Sequence, residues 1–188
     1  MSPAVSRVVI GLGNPDPEHT GTRHNVGWMA ADALASELAA AWENAPKLHA
    51  TVARAGSTLI VKPTTYMNRS GQSVRAALDF YKVPADNLLV ITDDINLPFG
   101  ELRLREKGGA GGHKGLADII TQLGSEEFAR LRVGVGTPPS PDATPHVLGK
   151  FSQAEEAALP AVIDQAVIDA QEWLKTESPE AGQEPLRG

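Results

Sequence analysis

Cysteine is absent from the 188 residues. That excludes a disulfide scaffold, a thiolate metal site and a cysteine nucleophile together. Aromatic residues are scarce at 5%. Apolar runs such as Leu88 to Ile91 fall far short of the roughly 20 residues that cross a bilayer as a helix. The start of the chain has no basic segment followed by a long apolar stretch, so no secretory signal is read there. Basic residues are not in excess either, since 17 Lys and Arg stand against 23 Asp and Glu for a net charge of −6. Residues 1–150 are balanced, and the whole excess falls on 151–188. Acidity confined to one end leaves room for a basic surface elsewhere. The expectation is a monomeric, cytoplasmic protein with no membrane segment.

Hydrophobic and charged fractions of 41% and 21% are those of an ordinary globular domain. A chain of this length hides roughly 70% of its unfolded surface and needs no staple. Arg7-Val-Val-Ile-Gly-Leu-Gly reads as a buried strand cut off by glycines. Apolar residues at Val26, Met29, Ala30, Leu34, Leu38 and Trp42 share one helical face, predicting a helix over about 25–43. Segments 48–52 and 57–62 form a hairpin around Arg54-Ala-Gly. Residues 70–82 are helical up to Pro84, 87–92 is an apolar strand, and 101–105 alternates as a strand with one polar face. A glycine loop over 108–112 leads into a helix over about 113–123, followed by a strand from Arg130. The segment 151–174 carries a helical apolar face, with Pro160 marking a late start or a kink. Strands and helices interleave, so the fold class is α/β: a single compact domain over 1–175, with a central twisted mixed sheet flanked by helices. Residues 176–188 read as a disordered tail.

In open α/β sheets ligands gather beyond the carboxyl ends of strands. Three such ends are unusually polar: 11–25, 64–68 and 93–96. In the first, Gly11-Leu-Gly13 lacks the third glycine of a dinucleotide loop, since Asp16 stands there. Thr22 caps the following helix, leaving His24 in a first turn whose dipole disfavours an imidazolium. A histidine that merely caps or packs is the bland alternative. Asp93 and Asp94 point to opposite sides of a strand end, one free to orient a histidine and the other to meet solvent or a cation; an acidic turn is the alternative. In the third segment Tyr66 offers a stacking ring and Asn68 an amide donor and acceptor, unless Asn68 or Ser70 is simply a helix cap.

Gly108 to Gly115 lacks the Gly-Lys-Ser/Thr order of a nucleotide phosphate loop, although amides at that helix start could take an anion or a hydroxyl. Arg103, Arg105, Arg130 and Arg132 alternate so as to share one face, suited to phosphate or else a solvated edge offset by nearby glutamates. The five histidines show no metal-site spacing, and no Gly-x-Ser-x-Gly elbow is present. A His–Asp pair that activates water directly remains.

Gly11-Leu-Gly-Asn-Pro15, Thr22-Arg-His-Asn25, Lys62-Pro-Thr-Thr-Tyr-Met-Asn-Arg-Ser-Gly71, Asp93-Asp-Ile-Asn-Leu-Pro98 and Gly111-Gly-His-Lys-Gly-Leu116 occur in this order. Together they resemble the bacterial-type peptidyl-tRNA hydrolase family over about 7–175. The resemblance implies a cofactor-free, metal-free hydrolase acting in translation and ribosome rescue. It cleaves the ester between a peptide and the terminal ribose of tRNA. His24 is then the general base, Asp93 its partner, Asn68 a holder of water or substrate, and Asn14 the group that tells an N-acylated ester from a free amine. His19, Tyr66, Asn68, Lys114, Arg105 and Arg132 fall at positions that meet tRNA, the two arginines at its 5′ phosphate. Departures from the family pattern are Asp16 for glycine, His19 for tyrosine, Asn96 for aspartate, Lys114 for asparagine and Thr137 for a basic residue. Two other readings stand beside this one: a non-catalytic RNA-binding member of the same fold, and a metal-dependent hydrolase using His24, Asp93 and His113.

Overall fold

Val8, Val9 and Ile10 are fully buried in succession, although neighbours on a strand face opposite sides of a sheet. Such a run needs cover on both faces, and the computed structural model, which describes residues 4–177, supplies it. In chain order the elements are β1 (Arg7–Gly11), α1 (Val26–Glu37), β2 (Trp42–Ala45), β3 (Ala50–Ala55), β4 (Thr58–Pro63) and α2 (Ser70–Tyr81). They continue with β5 (Leu88–Asp94), β6 (Leu102–Arg105), α3 (Lys114–Leu123), β7 (Ala129–Gly134), α4 (Thr144–Val147) and α5 (Gln153–Lys175). One mixed sheet runs β2-β3-β4-β1-β5-β7-β6. Its middle strands β4, β1, β5 and β7 are parallel, while β3, β2 and β6 add antiparallel margins.

Val9, Leu89, Ile91 and Leu131 pack beneath α1 and α5. Val8, Ile10, Val90 and Val61 pack beneath α2 and α3. The expected α/β class and mixed sheet are therefore observed. Arg7 ties the first strand to the last helix: its guanidinium donates to the carbonyls of Trp173 (2.8 Å) and Thr176 (3.0 Å) and lies 4.3 Å from the Trp173 ring. A cation at a helix C-terminus meets the negative end of the dipole.

Three expectations change. The first helix ends at Glu37 rather than continuing to residue 43, because the chain turns through Ala39 at φ 54°. Trp42 then lies on edge strand β2 opposite Ala53, where Lys62 Nζ approaches its ring at 4.4 Å. Of the late start and the kink expected at Pro160, the late start is not found: a Ser152–Glu155 capping box starts the helix, and Pro160 sits inside it on the exposed side. Solvent there can take the carbonyl that proline leaves unbonded. Thr22 precedes a 3-10 turn over Arg23–Asn25, and its hydroxyl donates to the His19 carbonyl instead of capping. The helix ends at Lys175. Of the expected disordered tail 176–188, Thr176 is instead the ordered helix cap held by Arg7, because its carbonyl lies within reach of that guanidinium, and residues from 178 lie outside the described residues.

The glycines of the first loop serve packing. A Cβ on Gly11 would strike the Gly27 carbonyl, one on Gly13 the Trp28 ring, and one on Gly27 the Ile91 and Leu12 backbones. This close approach lays the start of α1 on the ends of β1 and β5. Gly27→Ala is expected to cost about 1–3 kcal/mol through overpacking, read as a lower urea midpoint. Unchanged stability would show that the helix can lift without penalty.

Candidate active site

Neighbouring parallel strands β4, β1 and β5 open their carboxyl ends on one side of the sheet. The three polar segments singled out in the sequence follow those strands. They converge on a cleft of about 250 Å³ whose lining includes Asn14, His24, Tyr66, Asn68, Asp93 and Lys114.

Asp93, at 3% exposure, lies between two imidazoles. His24 Nδ1 is 2.8 Å from Asp93 Oδ2 and His113 Nε2 is 2.8 Å from Asp93 Oδ1. The tautomers follow from the remaining partners. His113 Nδ1 accepts from the backbone N–H groups of Gly115 (3.0 Å) and Leu116 (3.2 Å), capping α3. Its proton therefore sits on Nε2 and is donated to Asp93. His24 likewise donates from Nδ1, which leaves the Nε2 lone pair to the cleft. Burial alone would raise the Asp93 carboxyl, but His113 first and His24 second reverse this and hold it well below the usual carboxylate range. Its depressed pKa contributes stability that is present above the unfolded value of about 3.9 and is lost only as pH falls through the folded one.

Asn14 is as firmly placed. Its backbone N–H donates to Asn25 Oδ1 and its carbonyl accepts from Asn25 Nδ2, both at 2.9 Å. Its side-chain Oδ1 accepts from the Met67 N–H at 2.8 Å. With the oxygen engaged, the amide NH₂ is the end offered to the cleft. Tyr66 rims the cleft at 59% exposure, and Asn68 is exposed beside it.

The arginine face is not four free guanidinium groups. Arg130 is fully buried, stacks 4.2 Å from Phe128, and donates to the carbonyls of Gly109, Glu126 and Phe128. Arg103 is paired with Glu101 at 2.9 Å. Arg132 is partly exposed, 3.6 Å from Asp94, so the second acid of the pair does meet a cation. Arg105 is exposed without a hydrogen bond or ion pair among the described residues. A small cavity of about 10 Å³ has Asp93, Asp94 and Arg132 in its lining, room for roughly one water. Nor are the leading amides of α3 an anion site, since His113 already occupies those of Gly115 and Leu116. His19 lies outside the cleft lining, in the turn Pro17–His19, with Nδ1 3.8 Å from Asp16.

Sequence reasoning weighed His113 only as a metal ligand. His24, Asp93 and His113 do bring ligand atoms within 4.8 Å of one another. An ion there would have to displace both hydrogen bonds to Asp93. The imidazole directly before a helical run was the available signal for a cap. Also missed as a cleft wall were Thr144, Val147 and Leu148 on and after α4, although Val147-Leu-Gly-Lys-Phe151 fits the family pattern.

A family model described as peptidyl-tRNA hydrolase matches residues 8–185. A peptidyl-tRNA hydrolase of Gloeobacter violaceus is 46% identical over 166 residues, covering 86% of this chain and 84% of its own. One from Chlorobaculum parvum is 47% identical, covering 87% and 90%. The crystal structure of the peptidyl-tRNA hydrolase of Acinetobacter baumannii superposes with a TM-score of 0.84 at 36% identity, covering 91% of this chain and 89% of that one.

The double role of His113 can be separated. His113→Asn keeps a side-chain oxygen for the cap and His113→Ala does not, so the alanine variant is expected to be about 1 kcal/mol less stable in urea unfolding. Both lose the donor to Asp93 and should share one drop in turnover. Equal stabilities would refute the cap.

Proposed function

The chain belongs to the peptidyl-tRNA hydrolase family, and on that premise we propose how its own residues carry the reaction. It is an enzyme that hydrolyses peptidyl-tRNA, releasing peptide and free tRNA by cleavage of the ester that joins them; family membership does not favour a binding-only role. His24 Nε2 draws a proton from water as the water oxygen attacks the ester carbonyl. The Asp93 carboxylate stabilises the imidazolium that forms, and His113 holds Asp93 from its other oxygen. His24 then returns the proton to the departing ribose oxygen. The observation that carries this reading is the 2.8 Å contact of His24 Nδ1 with Asp93 Oδ2, which commits the opposite nitrogen to the cleft. Asn68 orients the water or the ester.

Asn14 accounts for the choice of an N-acylated substrate. With Oδ1 bound to the Met67 N–H, its NH₂ donates to the carbonyl of the peptide bond next to the ester. A free aminoacyl ester presents an ammonium instead, which sets donor against donor and must shed its hydration.

On the tRNA, Arg105 and Arg132 meet the 5′ phosphate. Tyr66, His19 and Lys114 handle the single-stranded end, by stacking and by charge respectively for Tyr66 and Lys114. Support comes from the exposure of Arg105, the part-exposure of Arg132 and the bare Tyr66 ring. Lys114 can meet phosphate or a ribose hydroxyl, but it cannot accept a hydrogen bond as the amide of the family pattern can. The enzyme acts as a monomer in the cytoplasm: its exposed large apolar side chains Tyr66, Phe80, Leu104, Leu148 and Ile168 are scattered over separate elements, and among the described residues no helix is long and apolar enough to cross a membrane.

The primary test is release of N-acetylated amino acid from tRNA by wild type and His24→Ala, with and without chelator. Wild-type turnover should resist the chelator, and the variant should lose about 10²–10⁴-fold. Chelator-sensitive turnover would replace the His–Asp water mechanism with a metal-dependent one. A second test uses Asn14→Asp, which keeps an oxygen for Met67 but turns the cleft-facing donor into an acceptor. The ratio of kcat/KM for N-acetyl over free aminoacyl ester should fall by about 10²-fold or more. An unchanged ratio would remove Asn14 from discrimination.

A further inference from the structure

The far wall of the cleft is carried by a single turn of helix. Ala143, Thr144, Val147 and Leu148 face Tyr66 and Met67 across the cleft, on a one-turn helix and its flanks. Four residues of helix cannot hold a position by their own hydrogen bonds. Something else must set the distance between this wall and His24.

The anchors converge on the residue just before His24. The Arg23 N–H donates to the Gly149 carbonyl at 3.0 Å. Its guanidinium donates through one terminal nitrogen to the His146 carbonyl at 3.1 Å, and through the other to Glu155 Oε1 at 3.0 Å. Thr22 and Lys150 form an antiparallel bridge alongside. The guanidinium lies 5.7 Å from the Phe151 ring, and its side chain is only 14% exposed. Glu155 also accepts from the Ser152 N–H at 2.9 Å as part of the α5 capping box. A second tie comes from the His146 ring, whose Nε2–H is shared between the carbonyls of Val135 (3.1 Å) and Gly136 (3.0 Å). Arg23 thus spans the gap between the loop that carries the base, the wall at 146–149 and the fixed first turn of α5. The contact at Gly149 is tight, since a Cβ there would stand 3.2 Å from an Arg23 terminal nitrogen.

We propose that Arg23, braced by Glu155, is a positioning residue that sets the apolar wall at Val147 and Leu148, and so determines how well the enzyme binds the peptide beyond the first acylated residue. The inference rests on the reading that this cleft receives the peptidyl group. Arg23 touches no reacting atom. A planar guanidinium is required because it must reach two acceptors at once, one on each side of the gap, which a lysine ammonium on a flexible stem serves poorly. Release of the wall weakens contacts that matter only for substrates long enough to reach it. An N-acetyl group next to the ester is too short to feel it.

The experiment compares two esters on one tRNA, an N-acetyl-aminoacyl ester and a peptidyl ester with several apolar residues, for wild type, Arg23→Gln, Arg23→Lys and Glu155→Gln. Arg23→Gln should lower the ratio of kcat/KM, peptidyl over acetyl, about tenfold. The loss should appear in KM, with kcat on the acetyl ester and its pH profile retained. Arg23→Lys should fall between wild type and Arg23→Gln. Glu155→Gln keeps an oxygen for the capping box and should move the ratio in the same direction by less. If Arg23→Gln does not fold, Glu155→Gln and Arg23→Lys decide the matter. Equal losses on both esters, a shifted acid limb of kcat, or an unmoved ratio would each overturn the proposal. Failure of wild type on the acetyl ester would instead overturn the reading of the cleft.

Discussion

One buried carboxylate with two imidazole donors organises this molecule. Asp93 cannot stay ionised at 3% exposure without partners, because desolvation disfavours the charge. The two partners come from opposite ends of the chain's logic. His24 stands on the turn that enters α1, and His113 on the cap that starts α3. Each flanking helix is thus tied, at its first turn, to the last buried residue of a central strand. The geometry that turns His24 Nε2 to the cleft is the same geometry that seats two helices. His113 shows the economy best, since one ring holds two amides and a carboxylate at once.

For that arrangement to exist, backbones must approach unusually closely. Gly11 and Gly27 allow α1 to lie on β1 and β5, and Gly115 lets α3 pass Met67 and Leu12. The Asn14–Asn25 pair then locks the loop between β1 and α1, and it leaves a single amide donor facing the cleft. Glycines that resemble a nucleotide loop in the sequence are spacers here. Their shared requirement is the absence of a Cβ.

The arginines divide by burial. Arg7 and Arg130 are consumed inside the fold, on helix-end and loop carbonyls, while Arg105 and the partly exposed Arg132 keep guanidinium surface toward solvent. Arg23 occupies a third position between the loop of His24 and the wall of the cleft. Charge counts could not separate these groups, because what distinguishes them is which carbonyls and carboxylates the fold brings within reach. Arg132 lies 3.6 Å from Asp94, next in the chain to the buried Asp93, so the arginine face and the cleft share adjacent residues of one strand.

The parallel core strands, the helices at 70–81 and 114–123, and the three polar strand ends were all legible from residue periodicity and glycine placement, since those signals are local. The order of their motifs named His24, Asp93, Asn14 and Asn68 together, and the fold lines one cleft with all four. What only the tertiary structure decided lies between segments distant in sequence. The helix that reads through to Trp42 breaks at Ala39, because the edge strand β2 pairs with β3. The same tertiary contacts turn His113 into the second donor to Asp93, bury Arg130 and form the wall at 144–148 beside Arg23. Periodicity records which side of an element is apolar. It carries no record of which polar groups, 20 residues apart for His113 and Asp93 or 123 for Arg23 and His146, will be left facing each other once that side is buried.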